Sequence, residues 1–144
     1  MLDSEIVADA VVAGAVAAVV SGVPSTLNAL ASGANPLEAS LAAGTLLLRD
    51  EQRVSRLLPA AMAAHGALSL GWAVGLAVVL PRRRMTAWSV LAGLAIAALD
   101  LGVVGRRFPR IRALPLAPQV LDHVAYAMTV SCVLSRRRAR RPPG

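Results

Sequence analysis

Long apolar runs, most of them closed by a cluster of arginines, leave this chain few folds to choose from. From Leu57 to Leu80 no residue of fixed charge occurs, and Pro81-Arg82-Arg83-Arg84 follows at once. Met85 to Gly105 holds a single charged side chain, Asp100, and is followed by Arg106, Arg107, Arg110 and Arg112. Gln119 to Leu134 leads into Arg136 to Arg138, Arg140 and Arg141. A hydrocarbon core about 30 Å thick is crossed by about 20 helical residues, and a helix satisfies its own backbone there. The first run, Ile6 to Leu30, is uninterrupted only from Ala10 to Val20. It spans if the helix continues through Ser21-Gly22-Val23-Pro24-Ser25-Thr26, kinked at Pro24, with nearby hydroxyls satisfying the freed carbonyls. The same residues also fit a helix stop followed by a new N-cap.

Composition agrees with helices in lipid. The chain is 56% hydrophobic and 3% aromatic, with mean hydropathy +0.62. Ala, Leu and Gly at this density suit helices packed closely in a membrane. The net charge is +7, and all fifteen basic residues are arginine. An arginine-only chain rich in Ala, Gly and Pro points to a GC-rich bacterial coding sequence. The clusters sit at helix ends with no aromatic residues interleaved for base stacking. They read as topology signals that touch anionic head groups, not as a nucleic-acid surface. Cys132 is the one cysteine, so the chain has no internal disulfide, and an inert buried thiol is expected. Met1-Leu2-Asp3-Ser4-Glu5 is acidic where a signal peptide needs positive charge, so the first run should stay in the mature protein.

These features predict an all-α, polytopic membrane helix bundle. One domain, residues 1–135, carries spans at about 6–30, 57–80, 85–105 and 119–134. A short helix at 36–48, begun by Asn35 as N-cap and Pro36, is too short to cross and reads as interfacial or re-entrant. Pro109, Pro115 and Pro118 argue against a regular helix through 106–118, and the basic tail 136–144 is expected to be disordered. Four crossings put the N-terminus, the Arg82 loop and the tail at one end of the bundle. The short helix and the Arg106–Arg112 loop lie at the other. Arginine numbers barely separate the two ends, but the densest clusters free of acidic neighbours lie at the N-terminal end. The expectation is a multi-pass protein of the bacterial inner membrane with both termini cytoplasmic.

Ionisable groups in hydrocarbon cost roughly 2.5–3.5 kcal/mol each on insertion scales, and they usually face a partner or a wet cavity. His65, Asp100, Asp122 and His123 all fall towards the end opposite the termini. His65, Ser69 and Trp72 share one helix face; Ser89, Gly93, Ile96 and Asp100 share another, with Arg107 two turns on; Asp122, Tyr126 and Thr129 form a stripe with His123 beside it. Turned inward, these faces make a polar pocket of His65, Ser69, Asp100, Arg107, Asp122, His123 and Tyr126. Several uses stay open. Asp and Arg can pair structurally at helix ends. Arg106, Arg107, Arg110 and Arg112 can hold a lipid head group. The histidines and carboxylates can relay protons or ions, or serve an intramembrane enzyme. Two imidazoles and a carboxylate are a recognised metal ligand set, and two histidines can hold a haem, but no spacing here is diagnostic of either. No metal, cofactor or catalytic residue is therefore assigned. Gly71 and Gly75 form a G-x-x-x-G that permits close helix approach, within the bundle or in a homodimer. Neither a phosphate-cradling glycine loop nor a G-x-S-x-G elbow occurs. The partners expected are membrane lipids, with a second copy or another membrane protein.

Gly22-Val23-Pro24-Ser25-Thr26, Asp100-Leu101-Gly102, and Arg106-Arg107-Phe108-Pro109 through Asp122-His123 together resemble small uncharacterised four-helix integral membrane proteins of high-GC actinobacteria. The resemblance covers most of the chain. It implies the four-helix membrane fold and transfers no function.

Overall fold

Residues 4–81 and 85–140 are described in the computed structural model, the side chain of Thr86 excepted. Arg82-Arg83-Arg84 and residues 141–144 of the expected tail lie outside them. The described residues are helical and contain no strand. The run from the N-terminus forms α1 (Ser4–Val20) and α2 (Val23–Ala31), separated at Ser21-Gly22. Pro24 sits in the first turn of α2, where its missing N–H removes no helical bond. Ser21 N–H still reaches the Ala17 carbonyl at 2.9 Å and Thr26 N–H the Gly22 carbonyl at 3.1 Å. The two pieces together make one apolar stretch, Ser4–Ala31, long enough to cross a membrane. Both expectations for this segment thus hold in part: the helix stops, and it also resumes.

The short helix is α3 (Glu38–Gly44), tighter than the expected 36–48. Asn35 does not cap it directly; its carboxamide oxygen takes the Leu37 N–H at 3.0 Å, a local turn that delays helix onset. The long helix α4 (Val54–Val79) begins before Leu57, so Pro59 lies inside it rather than in its first turn. α5 (Met85–Leu99) continues as a π turn, Asp100–Val104, and a 3-10 turn, Gly105–Arg107. Next come α6 (Pro109–Arg112) and α7 (Leu116–Ala139). Pro109 opens α6 and Pro118 lies in the first turn of α7, positions that tolerate proline, so 106–118 is more helical than its prolines imply.

Among the described residues three stretches are long and apolar enough to cross a membrane: Ser4–Ala31, Val54–Val79 and Ala87–Arg107. α7 is long enough but more polar. It packs against α1, α2, α4 and α5, so neighbouring helices cover much of its surface. Small residues point inward and large ones outward. On α1, Ala10, Ala13 and Ala17 are fully buried, while Val11, Val12, Val16 and Val19 are exposed. That inversion of a soluble helix is what packing in lipid requires. The core joins this alanine stripe to Ala73, Leu76 and Ala77 of α4, Ile96 of α5, and Tyr126, Ala127, Val130 and Leu134 of α7.

Close approach comes from glycines other than the expected pair. A Cβ built at Gly14 would lie 2.9 Å from that of Ala73 on α4, and one at Gly93 2.7 Å from Val124 Cα on α7. Around Gly71 and Gly75 a Cβ meets nothing within 4 Å. The G-x-x-x-G therefore packs no helix among the described residues; it lies on the outer face of α4, a third of a turn or more from the buried Ala73 and Ala77. Two further expectations change. Cys132 is exposed, because α7 buries Val130, Ser131 and Leu134 on a neighbouring face. Arg136 to Arg138 do not begin a disordered tail but complete α7, where positive charge suits the helix C-terminus.

Candidate functional site

The break between α1 and α2 explains two of the ionisable groups. Interrupting a helix strands carbonyls before the break and N–H groups after it. His65 Nε2 on α4 lies 2.9 Å from the Ala18 carbonyl. A carbonyl only accepts, so this nitrogen carries the hydrogen. After the break, Ser25 N–H donates to Asp122 Oδ1 on α7 at 2.9 Å, which supplies the cap that Gly22 has no side chain to provide. His65 and Asp122 thus complete one broken helix from two sides, and both imidazoles lie within electrostatic reach of the Asp122 carboxylate.

Asp100 forms a second node. It opens the π turn, where Gly105 N–H reaches back five residues to the Asp100 carbonyl. Trp72 Nε1–H on α4 donates to Asp100 Oδ2 at 3.2 Å, and His123 Nε2 on α7 lies 3.4 Å from the same oxygen. His123 Nδ1 lies 2.8 Å from the Gln119 carbonyl and therefore carries a hydrogen. Nearby, the Tyr126 hydroxyl donates to the Ser69 carbonyl, joining α7 to α4 where both are buried.

Six of the seven residues expected to share a pocket are therefore ties between helices. The seventh, Arg107, is exposed, and its carbonyl rather than its guanidinium is used, accepting from Arg49 Nη2 at 2.7 Å. The π and 3-10 turns after Asp100 carry Arg107 away from the carboxylate that helical spacing had aligned with it. Among the described residues no group of three His, Cys, Asp or Glu side chains converges to hold a metal. One residue that spacing did not single out belongs in the same class. Asp9 is 3% exposed and pairs with Arg137 Nε at 2.6 Å. Its signal was present, a carboxylate in an apolar run, in register at i+4 and i+8 with Ala13 and Ala17. Arg138 Nη2 adds a bond to the Ala77 carbonyl at 2.8 Å, so the N-terminal end of the bundle is closed by α7.

The opposite end carries the opening. Arg110 of α6 grips Glu38 of α3 side-on, Nε to Oε1 at 2.6 Å and Nη2 to Oε2 at 3.0 Å. That hydrogen-bonded pairing holds the Glu38 carboxyl below its usual range. Arg49, besides reaching the Arg107 carbonyl, lies over Phe108 with its guanidinium carbon 5.5 Å from the ring centre. Glu51 accepts from the Arg53 side chain and from the backbone N–H groups of Arg53 and Gln52, which lowers its carboxyl to about 2. Thr45, Arg49, Asp50, Gln52, Pro109 and Arg110 line a cleft of about 250 Å³. Of the expected head-group arginines only Arg110 lines it; Arg106, Arg107 and Arg112 are exposed around this end. Compared with protein-family models, curated proteins and solved structures, the chain matches none.

Proposed function

We propose that the chain is a four-span bacterial inner-membrane protein that binds a lipid or membrane partner at the end opposite its termini, without catalysing a reaction. The observation that carries this reading is the cleft between the loop after α3 and α6. Two guanidiniums line it, each anchored on one side by the protein, Arg110 by Glu38 and Arg49 by the Arg107 carbonyl. Anchored donors lose less freedom on binding than mobile ones. Its volume is below the roughly 300–1,000 Å³ of pockets for drug-sized ligands and suits a head group. α7 supplies the fourth span in this reading, its polar side chains facing helices rather than lipid. The Asp9–Arg137 pair supports a shared side for both ends of the chain, and the arginine density supports the cytoplasm. The test is native mass spectrometry of the protein released gently from membranes. Retained lipid that is lost in Arg49→Gln is the expected result; retention unchanged in that variant would overturn the lipid site.

A second reading, proton-coupled transport as a dimer, rests on His123 Nε2 and Asp100 Oδ2 lying 3.4 Å apart within the bundle. Its test is pH-driven flux in liposomes, which must vanish in Asp100→Asn while the variant still folds.

A further inference from the structure

The cleft is not purely basic. Asp50 lines it together with Arg49 and Arg110. Glu38 balances Arg110 directly, and no hydrogen bond or ion pair holds the Asp50 carboxylate among the described residues. A site built for anions alone would not seat a carboxylate in its wall, because it would repel the charge that the arginines attract. We infer that the cleft selects a zwitterionic phosphoethanolamine head group, with the phosphate diester on the guanidiniums of Arg49 and Arg110 and the ammonium on Asp50. This deepens the proposed lipid-binding role and rests on it.

The chemistry of each contact is specific. Glu38 occupies the Nε and Nη2 edge of Arg110 and leaves Nη1 uncommitted to that pair. Arg49 gives Nη2 to a backbone carbonyl and keeps its remaining N–H groups. Guanidinium donors of this kind suit phosphate oxygens. A primary ammonium brings three N–H donors that a carboxylate and the Gln52 carboxamide can accept. A choline head group has no N–H, and a glycerol head group has no positive charge for Asp50. Leu47 and Leu48, both exposed just before Arg49, offer apolar surface beside the cleft for the acyl chains.

The experiment uses the full chain in nanodiscs of defined composition, with retained lipids read by native mass spectrometry. In an equimolar mixture of phosphatidylethanolamine, phosphatidylglycerol and phosphatidylcholine, the expected result is enrichment of the ethanolamine lipid. Asp50→Asn should lower its preference over phosphatidylglycerol by about tenfold, the scale of one lost charge-assisted contact. Asp50 is exposed, so this variant should keep the wild-type helix content, which circular dichroism checks. Excess soluble phosphoethanolamine should displace little lipid, since it lacks the chains. Displacement by the soluble compound would make the ligand a free phosphoamine and overturn the lipid source. Equal retention of phosphatidylglycerol, or a preference unmoved by Asp50→Asn, would overturn the zwitterionic assignment while the lipid site stands. Loss of all lipid selectivity with unchanged retention in Arg49→Gln would remove the site itself.

Discussion

A methyl group added at Gly93 would meet the backbone of α7, 2.7 Å from Val124 Cα and 2.8 Å from the His123 carbonyl oxygen. Neither atom can move without the helix. Gly93→Ala should therefore cost about 1–3 kcal/mol, the usual range for overpacking. Gly75→Ala, with open space around it, should be neutral or gain up to about 1 kcal/mol of helix propensity. Denaturant titration of both variants in the same detergent tests the contrast, and equal losses would contradict the packing described. Asp100→Asn keeps an oxygen for Trp72 but loses the charge that faces His123. It should lower stability by about 1–3 kcal/mol, the scale of a hydrogen bond to a charged group, read in the same titration. At this scale the sequence was informative about kind and silent about partner. Helical spacing put Ser89, Gly93, Ile96 and Asp100 on one face, and Ser89, Gly93 and Ile96 are buried. It also aligned Arg107 with Asp100, and that failed because spacing assumes an unbroken α-helix while the chain turns through π and 3-10 geometry there.

Between elements, the helix break makes distant side chains into caps. Asp122→Ala removes the acceptor for Ser25 N–H and should cost about 0.5–2 kcal/mol, as lost N-caps do. Hydrogen exchange at the Ser25 amide should speed up in that variant and stay slow in Asp122→Asn, which keeps an oxygen. Pro24 marked the break in the sequence, but nothing there said which residues would complete it, since the caps come from α4 and α7 rather than from neighbours in the chain. The loop before α4 yields a pH prediction. The Glu51 carboxyl is lowered from its ordinary 4.5 to about 2, so its contribution is present above pH 4.5 and is lost as pH falls towards 2. Glu38 shifts in the same direction. Thermal melts between pH 6 and pH 2 (chosen to bracket that window) should show a midpoint that falls on acidification, and a shallower fall in Glu51→Gln.

For the molecule as a whole, the apolar runs announced a helical membrane bundle, and three of them form helices long enough to cross. α7 was harder to read because it is more polar than those three stretches and much of its surface is covered by its neighbours. Fusing a reporter to each end of the chain tests whether α7 crosses. Four crossings put both reporters on one side, and opposite sides would leave α7 on the surface. Arg137→Ala removes the counter-ion of a carboxylate that is almost wholly buried. It should destabilise by up to about 3–5 kcal/mol, the scale of a broken buried pair, with part recovered in the double variant Asp9→Asn/Arg137→Ala.

That same pair also has a history in time. Asp9 and Arg137 are separated by 128 residues of sequence. At a synthesis rate of about 5–20 residues per second, Asp9 is made roughly 6–26 s before its arginine exists. Throughout that interval the ribosome has delivered an opening helix whose carboxylate has yet to meet Arg137. Closure of the Asp9–Arg137 pair therefore waits for α7, whereas the contacts of α1 with α4 need only the first half of the chain.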